Sequence, residues 1–87
     1  MRLEVEQLRA LATLAEELSF TRAAHRLGVA QPALSARISR MERRLGRKLV
    51  DRSTRSVQLT QAGLDLLARA GPILAENDAQ FSRGSSG

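Results

Sequence analysis

The sequence predicts a mostly α-helical domain that carries one small β-hairpin, and three observations support this. Of its 87 residues 43% are hydrophobic but only 2% are aromatic, so the core must be aliphatic. Such a core suits packed helices better than a β-sandwich. Apolar residues recur at helical spacing in several segments, and Gly28 and Gly46 each follow one of them, as glycines do at helix ends. We therefore expect one small domain, near the size at which a single core is only just sufficient.

Residues 3–18 are predicted to form an amphipathic helix that acts as a scaffold. Its apolar residues recur at the spacing of one helical face, with Leu14 expected on the flank of that face. The residues expected to face the core are Val5, Leu8, Leu11, Ala12, Ala15 and Leu18.

Residues 19–42 have the layout of a helix-turn-helix, in which two helices meet at a tight turn. Thr21 is the expected N-cap of a helix over residues 22–27, and Phe20 before it is expected to pack onto the following turn. Gly28 suits the left-handed position that ends a helix. The residues expected to face inward are Ala23, Ala24, Leu27 and Val29.

A third helix is predicted from Pro32 to Leu45, because proline is tolerated in a first turn and Gly46 follows the last apolar residue. One side carries an aliphatic stripe, made of Leu34, Ile38, Met41 and Leu45. The opposite side is small near the N-terminus and basic further along, with Pro32, Ala36, Ser39, Arg40 and Arg43. This taper would let the helix tip approach base edges in a DNA major groove while arginines reach the flanking phosphates.

Residues 48–52 and 57–59 are predicted to pair as a β-hairpin, or wing, around a turn at residues 53–56. Arg52 and Arg55 lie near its tip, where they could reach a phosphate or the minor groove. A two-stranded hairpin is weakly stable alone, so we expect it to pack on the helices. The side chains expected to do so are Leu49, Val50, Val57 and Leu59.

Thr60 is the expected cap of a last helix from Gln61 to about Ala79, and Pro72 is expected to bend it. An end at Ala70 is the alternative. Its apolar residues lie on two faces, a larger one with Leu66, Leu67, Ala70, Ile73 and Leu74 and a narrow one with Leu64, Ala68, Gly71 and Ala75. One face is expected to pack internally and the other to meet a second copy of the chain, although a single wide buried face would give the same pattern. The dimer residues expected are Leu64, Leu67, Ala68, Gly71, Leu74 and Ala75.

The positive charge is concentrated in the middle of the chain. From Ser19 to Leu59 ten arginines and lysines face only two acids, Glu42 and Asp51, which gives a net charge of +8. Residues 1–18 carry −2 and residues 60–87 carry −1, for a total of +5. A basic block between nearly neutral flanks is the charge distribution expected of a protein that binds a polyanion.

Other classes of protein fit the sequence less well. There is no cysteine, no paired carboxylate in an apolar setting and no glycine-rich phosphate loop, and the one histidine, His25, is expected at or near the surface. We expect no enzyme activity, no metal site and no cofactor. No apolar run is long enough to span a membrane, so a cytoplasmic, nucleoid-associated protein is expected. Helical oligomerisation or RNA binding remains the alternative function, although RNA modules usually present aromatic stacking platforms that this chain lacks.

Six pieces of sequence, in order, resemble the LysR-type transcriptional regulators over residues 3–80. They are a first helix, S-F-T-R-A-A, Q-P-A-L-S, E-R-R-L-G, L-V-D-R and T-Q-A-G. The resemblance implies a winged helix-turn-helix at residues 1–59, a linker helix at 60–80 that pairs two subunits, and a flexible tail at 81–87. It also implies a C-terminal domain, absent from this sequence, through which alone a small-molecule effector would act.

The resemblance also implies which residues contact double-stranded DNA. Gln31, Pro32, Ala33 and Ser35 match the tip of the recognition helix, Thr21 and Arg22 match the backbone-contacting start of the second helix, and Arg52 and Arg55 match the wing. Many relatives carry arginine directly after the serine of Q-P-A-L-S, where this chain has Ala36. Either Arg37 or Arg40 takes over that contact, or the contact becomes apolar. The hypothesis is a homodimer that reads a pseudo-palindromic site, with Gln31 at a base edge and Thr21, Arg22, Arg40, Arg43 and Arg55 on phosphates.

Overall fold

The computed structural model describes residues 5–53 and 56–86, with side chains described as far as Ala75. Within these residues the chain forms four helices and a two-stranded antiparallel sheet. In chain order the elements are α1 (Val5–Glu17), α2 (Phe20–Leu27), α3 (Gln31–Leu45), β1 (Val50–Asp51), β2 (Gln58–Leu59) and α4 (Gln61–Ser86). The predicted fold class, a winged helix-turn-helix followed by a long helix, is confirmed.

The core lies where α1 packs against the other three helices. Its largest fully buried side chains are Leu11, Leu14, Leu34, Ile38, Met41 and Leu49. The stripe predicted on α3 is confirmed, because Leu34, Ile38 and Met41 are buried and Leu45 packs against the core. The predicted face of α1 was partly wrong, since Leu14 is fully buried at its centre while Leu18 is 46% exposed.

Two glycines end helices as predicted. Gly28 has φ 70° and Gly46 has φ 67°, so both lie in the left-handed region that glycine adopts without strain. After α2, the N–H groups of Gly28 and Val29 donate to the carbonyls of His25 and Ala24. These bonds satisfy the carbonyls that the helix end leaves open and turn the chain sharply toward α3.

The N-cap of α2 is Ser19, and the prediction of Thr21 was wrong. Ser19 has an extended backbone, and its Oγ accepts the N–H of Arg22 at 3.2 Å. The helix therefore begins at Phe20, so Phe20 is its first residue and does not precede the cap. Serine and threonine hydroxyls can both cap a helix. Thr21 is the second residue of α2, so it lies inside the helix and its side chain reaches α3 instead.

Leu18, the residue that follows α1, lies in the left-handed region at φ 51°, where non-glycine residues are strained by roughly 1–2 kcal/mol. Its N–H donates to the Leu14 carbonyl at 2.7 Å, which is the bond that closes the last turn of α1. This tight end brings Ser19 directly to the start of α2.

The short sheet pairs Val50 with Leu59 and Asp51 with Gln58. Thr60 caps α4 as predicted, because its Oγ1 accepts the Gly63 N–H at 3.2 Å. The same hydroxyl donates to the Lys48 carbonyl at 2.6 Å, and the Thr60 N–H donates to the Leu49 carbonyl at 3.0 Å. The first turn of α4 is thus bonded directly to the chain that enters β1.

α4 continues past Pro72 to Ser86, so the expected end at about Ala79 and the alternative end at Ala70 were both wrong, and the helix extends across residues 81–86 of the expected tail. The division into three segments stays a prediction. On the larger apolar face Ala70 is buried, and Leu66, Leu67 and Leu74 pack against the core. Ile73, on the same face, is 50% exposed.

We predict that Gly63→Ala destabilises the domain. A Cβ at Gly63 would lie 2.4 Å from the Leu49 carbonyl oxygen, which is held in the backbone pairing, so α4 must move away from β1. The expected loss is about 1–3 kcal/mol in thermal or urea unfolding, the range for overpacking.

Helix propensity alone predicts the opposite sign for this variant, a gain of about 1 kcal/mol. Gly28→Ala serves as the comparison, because its Cβ would meet nothing within 4 Å and only backbone strain at φ 70° acts. A Gly63→Ala protein as stable as the wild type would show that the close approach to Leu49 does not constrain α4.

Candidate nucleic-acid interface

The outward side of α3 has the predicted taper. Pro32 and Ala36 are exposed near its start, and Arg40 and Arg43 are exposed further along. Because the opposite side is buried against the core, this row cannot turn inward. The remaining residues predicted to bind DNA from α3 are the exposed Gln31 and Ala33 and the half-buried Ser35 and Arg37.

Gln31, at the tip of α3, is held by a side chain from α2. The hydroxyl of Thr21 donates to Gln31 Oε1 at 3.3 Å, and both residues are exposed. The bond uses one of the two lone pairs of the amide oxygen and leaves both amide N–H hydrogens of Gln31 for a partner outside the protein. Thr21 is therefore exposed beside the tip of α3, where its partner is Gln31, and its contact with DNA stays a prediction.

Arg52, at the end of β1, spans two helices. Its Nη1 donates to Ser35 Oγ on α3 at 2.8 Å, and its guanidinium lies over the Phe20 ring with Cζ 4.5 Å from the ring centroid. A guanidinium this close to an aromatic face has a cation–π attraction. The structure thus brings Arg52 and Ser35 together, whereas the sequence assigned them to separate parts of the surface.

Glu42, one of the two acids in the basic middle of the chain, has a structural role that the sequence did not predict. It is 8% exposed, and its Oε2 accepts the N–H groups of Leu49 at 2.9 Å and Val50 at 3.2 Å. Lys48 Nζ lies 4.0 Å from its other oxygen. The sequence could have indicated this burial, because Glu42 lies beside the aliphatic stripe of α3, on the side of the helix that faces the core.

Two arginines of α2 are paired with acids at the end of α1. Arg22 donates from Nε to Glu17 Oε1 at 3.3 Å and from Nη2 to the Glu17 carbonyl at 2.9 Å. Arg26 donates to Glu16 at 2.7 Å and to Glu17 at 3.1 Å. The hydrogen bond to Glu16, followed by the one to Glu17, raises the pKa of Arg26 above its ordinary value. Part of the positive charge of this region is therefore balanced within the domain.

The start of the wing turn is ordered by Asp51 and Ser53. Asp51 Oδ1 accepts the Ser53 hydroxyl at 2.6 Å and the Ser53 N–H at 2.9 Å. The predicted site residue Arg55 lies outside the described residues, so its contact with DNA stays a prediction.

The part of the chain that the structure describes offers little sign of other chemistry. His25 is exposed, and no group of three or more His, Asp or Glu side chains in residues 5–53 and 56–75 is placed to hold a metal ion. No helix within the described residues is long and apolar enough to cross a membrane.

The sequence model of the family described as "Bacterial regulatory helix-turn-helix protein, lysR family" matches residues 5–64, from α1 to the first turn of α4. The chain belongs to the LysR family. This confirms the resemblance and the predicted function class, a regulatory helix-turn-helix domain.

The LysR relatives that match the chain are longer regulators. PgrR of Escherichia coli (strain K12), an HTH-type transcriptional regulator, is 51% identical over 79 residues, which cover 91% of this chain and 26% of PgrR. The chain spans about a quarter of the length of the first curated relatives it matches.

Solved LysR structures include complexes with DNA. The BenM_DBD/catB site 1 DNA complex superimposes with a TM-score of 0.85 at 36% identity, covering 97% of this chain and 93% of that one. DarR of Vibrio fischeri in complex with DNA gives a TM-score of 0.84 at 32% identity, covering 99% of this chain and 30% of DarR.

We predict that Ser53 sets the pKa of Asp51. The Ser53 hydroxyl, and then its backbone N–H, lower the pKa of Asp51 below its ordinary value of 3.8. Because the pKa of Asp51 is lower in the folded state than in the unfolded state, its ionised carboxylate stabilises the folded turn at pH values above the unfolded-state pKa. This stabilisation is lost as the pH falls through the folded-state pKa. Ser53→Ala is expected to raise the Asp51 pKa in an NMR titration of its carboxyl carbon. An unchanged pKa in Ser53→Ala would show that the hydroxyl bond is absent in solution.

Proposed function

We propose that this chain is the sequence-specific DNA-binding domain of a bacterial transcriptional regulator, and that it places the N-terminal half of α3 in the major groove of double-stranded DNA. The observation that carries the proposal is the exposed row Pro32, Ala36, Arg40 and Arg43 on a helix whose other side is locked in the core. Small residues at the tip permit close approach to base edges, and the arginines beyond them can bind phosphates. The DNA complexes of BenM and DarR support the same assignment.

Each residue has a proposed role in this complex. Gln31 reads a base edge with its free amide N–H groups, and Pro32, Ala33, Ser35 and Ala36 shape the contact with bases and methyl groups. Arg40 lies on the exposed row one turn beyond Ala36, while Arg37 is half-buried on its flank, so Arg40 is the better replacement for the arginine absent at Ala36.

The phosphate contacts are assigned to side chains around the edge of this surface. Thr21, Arg22, Arg43 and Arg55 belong to this set, and Arg22 must exchange Glu17 for a phosphate when DNA binds. Such an exchange costs little, because an exposed ion pair contributes only about 0–1 kcal/mol.

The proposed assembly is a homodimer on a pseudo-palindromic site, formed through α4. Leu64 is 51% exposed, and Ala68, Gly71 and Ala75 are exposed in the same helical row. Small residues let two helices approach closely over such a row. Leu67 and Leu74, also expected at the interface, pack against the core of their own chain, so the proposal centres on the other four residues.

The remaining parts of the proposal follow from this role. The chain acts by binding and not by catalysis, in the cytoplasm on nucleoid DNA, and without a cofactor. It has no assigned effector site, because sensing is expected to belong to a C-terminal domain outside this sequence.

The test begins with a duplex selected from random sequences by the wild-type chain. On that duplex Gln31→Ala is expected to cost about 1–3 kcal/mol in binding, because a base-specific hydrogen bond is lost. On a random duplex the same variant is expected to bind like the wild type. Fluorescence anisotropy titrations at several salt concentrations measure both.

Arg43→Ala is the matched control for Gln31→Ala. It should weaken binding to both duplexes alike and reduce the slope of log affinity against log salt by about 0.9 per bound subunit, or about 1.8 for a dimer, as for one lost phosphate contact in each subunit. Equal losses of Gln31→Ala on the two duplexes would remove its reading role. Tighter binding of the wild type to RNA than to any selected duplex would overturn the DNA assignment in favour of an RNA-binding module.

The dimer has its own prediction, tested by sedimentation of two variants of α4. Leu64→Glu places a charge in the exposed small-residue row and is expected to weaken dimerisation at least tenfold, because an interfacial charge would be desolvated. Ile73→Glu is the matched control, since Ile73 is 50% exposed but lies on the other side of α4. A Leu64→Glu protein that remains dimeric would exclude this row as the interface.

A further inference from the structure

We propose that Arg52 is a positioning residue for base recognition, which holds the Ser35 hydroxyl so that it donates its hydrogen to an acceptor on a DNA base. This inference rests on the proposed function and deepens it. It changes the role of Arg52 from a wing residue on the phosphate backbone to a side chain that orients a reader on α3.

The direction of the Arg52–Ser35 hydrogen bond carries the argument. A guanidinium has only N–H donors, so Ser35 Oγ must be the acceptor in the 2.8 Å contact with Arg52 Nη1. The hydroxyl hydrogen and one lone pair of Ser35 Oγ are then left, and the bond from a charged donor polarises the hydroxyl so that it donates more strongly and accepts more weakly. A serine fixed in this way favours a base edge that accepts, such as guanine N7 and O6 or thymine O4, over one that donates, such as cytosine N4.

The guanidinium is itself fixed from a second side. Its Cζ lies 4.5 Å from the centroid of the Phe20 ring, at the first residue of α2. One face of the group is covered by the ring while one edge faces Ser35, so few rotamers satisfy both contacts. This pre-organisation lowers the entropy lost when DNA binds.

The backbone that carries Arg52 is tied to α3 as well. Glu42 accepts the N–H groups of Leu49 and Val50, and Arg52 follows β1 directly. Ser35 and Glu42 are seven residues apart, which is two turns of α3, so they share one side of the helix. The chain from Leu49 to Arg52 is thus attached to α3 at two points about 10 Å apart along its axis.

The same arrangement is repeated at the tip of α3. Thr21 donates to Gln31 Oε1 at 3.3 Å, so another residue outside α3 uses one lone pair of a proposed reader and leaves both of its N–H donors without that bond. Both polar readers of α3 therefore present donors in the free protein. The surface is prepared for acceptor-rich base edges before DNA arrives.

The experiment is a double-mutant cycle on the wild-type chain's selected duplex, with Arg52→Ala, Ser35→Ala and the double variant. Binding is measured on that duplex and on duplexes carrying each other base pair at every position. Ser35→Ala is expected to lose about fivefold to tenfold of discrimination at one position, the range for one hydrogen bond. Arg52→Ala is expected to lose most of the same discrimination, and the double variant to be no worse than Arg52→Ala.

Salt dependence and a conservative variant separate positioning from charge. The salt slope of Arg52→Ala should equal that of the wild type, whereas a phosphate contact would reduce it by about 0.9 per bound subunit, as expected for Arg43→Ala. Arg52→Lys keeps the charge but lacks the planar group for stacking on Phe20, so it should lose the same discrimination as Arg52→Ala.

Three results would overturn the inference while leaving the proposed function in place. They are a reduced salt slope for Arg52→Ala, additive losses in the double variant, and wild-type discrimination in Arg52→Lys. A wild-type chain that selects no duplex over random DNA would instead overturn the proposed function and this inference with it. Circular dichroism of each variant confirms that helix content is retained.

Discussion

Three residues, Lys48 to Val50, hold α3 and α4 in one arrangement. Their N–H groups at Leu49 and Val50 bind the buried Glu42 carboxylate on α3. Their carbonyls at Lys48 and Leu49 accept the hydroxyl and the N–H of Thr60 at the start of α4. Hydrogen bonds to a charged group contribute about 1.5–3 kcal/mol each, and an unpaired buried N–H costs a similar amount. The wing is therefore held more firmly at its base than its two short strands could achieve alone.

The net charge of the middle segment overstates the charge available to a nucleic acid. Arg22 and Arg26 are paired with Glu16 and Glu17, and Glu42 lies within 4.0 Å of Lys48. Glu16 and Glu17 belong to α1, so the net charge counted from Ser19 to Leu59 leaves them out, whereas Glu42 is included in it. The exposed arginines on the outer row of α3 face the solvent, so electrostatic attraction of a polyanion depends on them more than on the net charge of the segment.

The sequence was sufficient for features that depend on local chemistry. Gly28 and Gly46 could be placed because only glycine adopts a positive φ without strain, and the α3 stripe because its period matches a helix. Ser19 could not be separated from Thr21, since both are good caps and the choice depends on where Leu18 ends α1. Leu14 was misplaced, and the exposure of Ile73 was not foreseen, because the width of a buried face is set by the neighbouring helices, which periodicity does not contain.

The residues of the candidate site could be proposed from the sequence, but the contacts among them could not. Thr21, Gln31, Ser35 and Arg52 were all identified, yet neither hydrogen bond that joins them could be foreseen. Each bond links residues ten or seventeen positions apart and depends on the crossing of α2, α3 and β1. Propensity and spacing describe one element at a time, so contacts between elements emerge only with the fold.

The attachment of Lys48–Val50 to both helices has a consequence for how a dimer would read DNA. If two copies meet along α4, the distance between their α3 helices is set by the angle at which α4 leaves the wing. That angle is fixed where the Gly63 backbone approaches the Leu49 carbonyl, at the same residue whose N–H binds Glu42. A shift of Leu49 would move α3 and α4 relative to each other, so the spacing between half-sites depends on a segment that need not touch DNA.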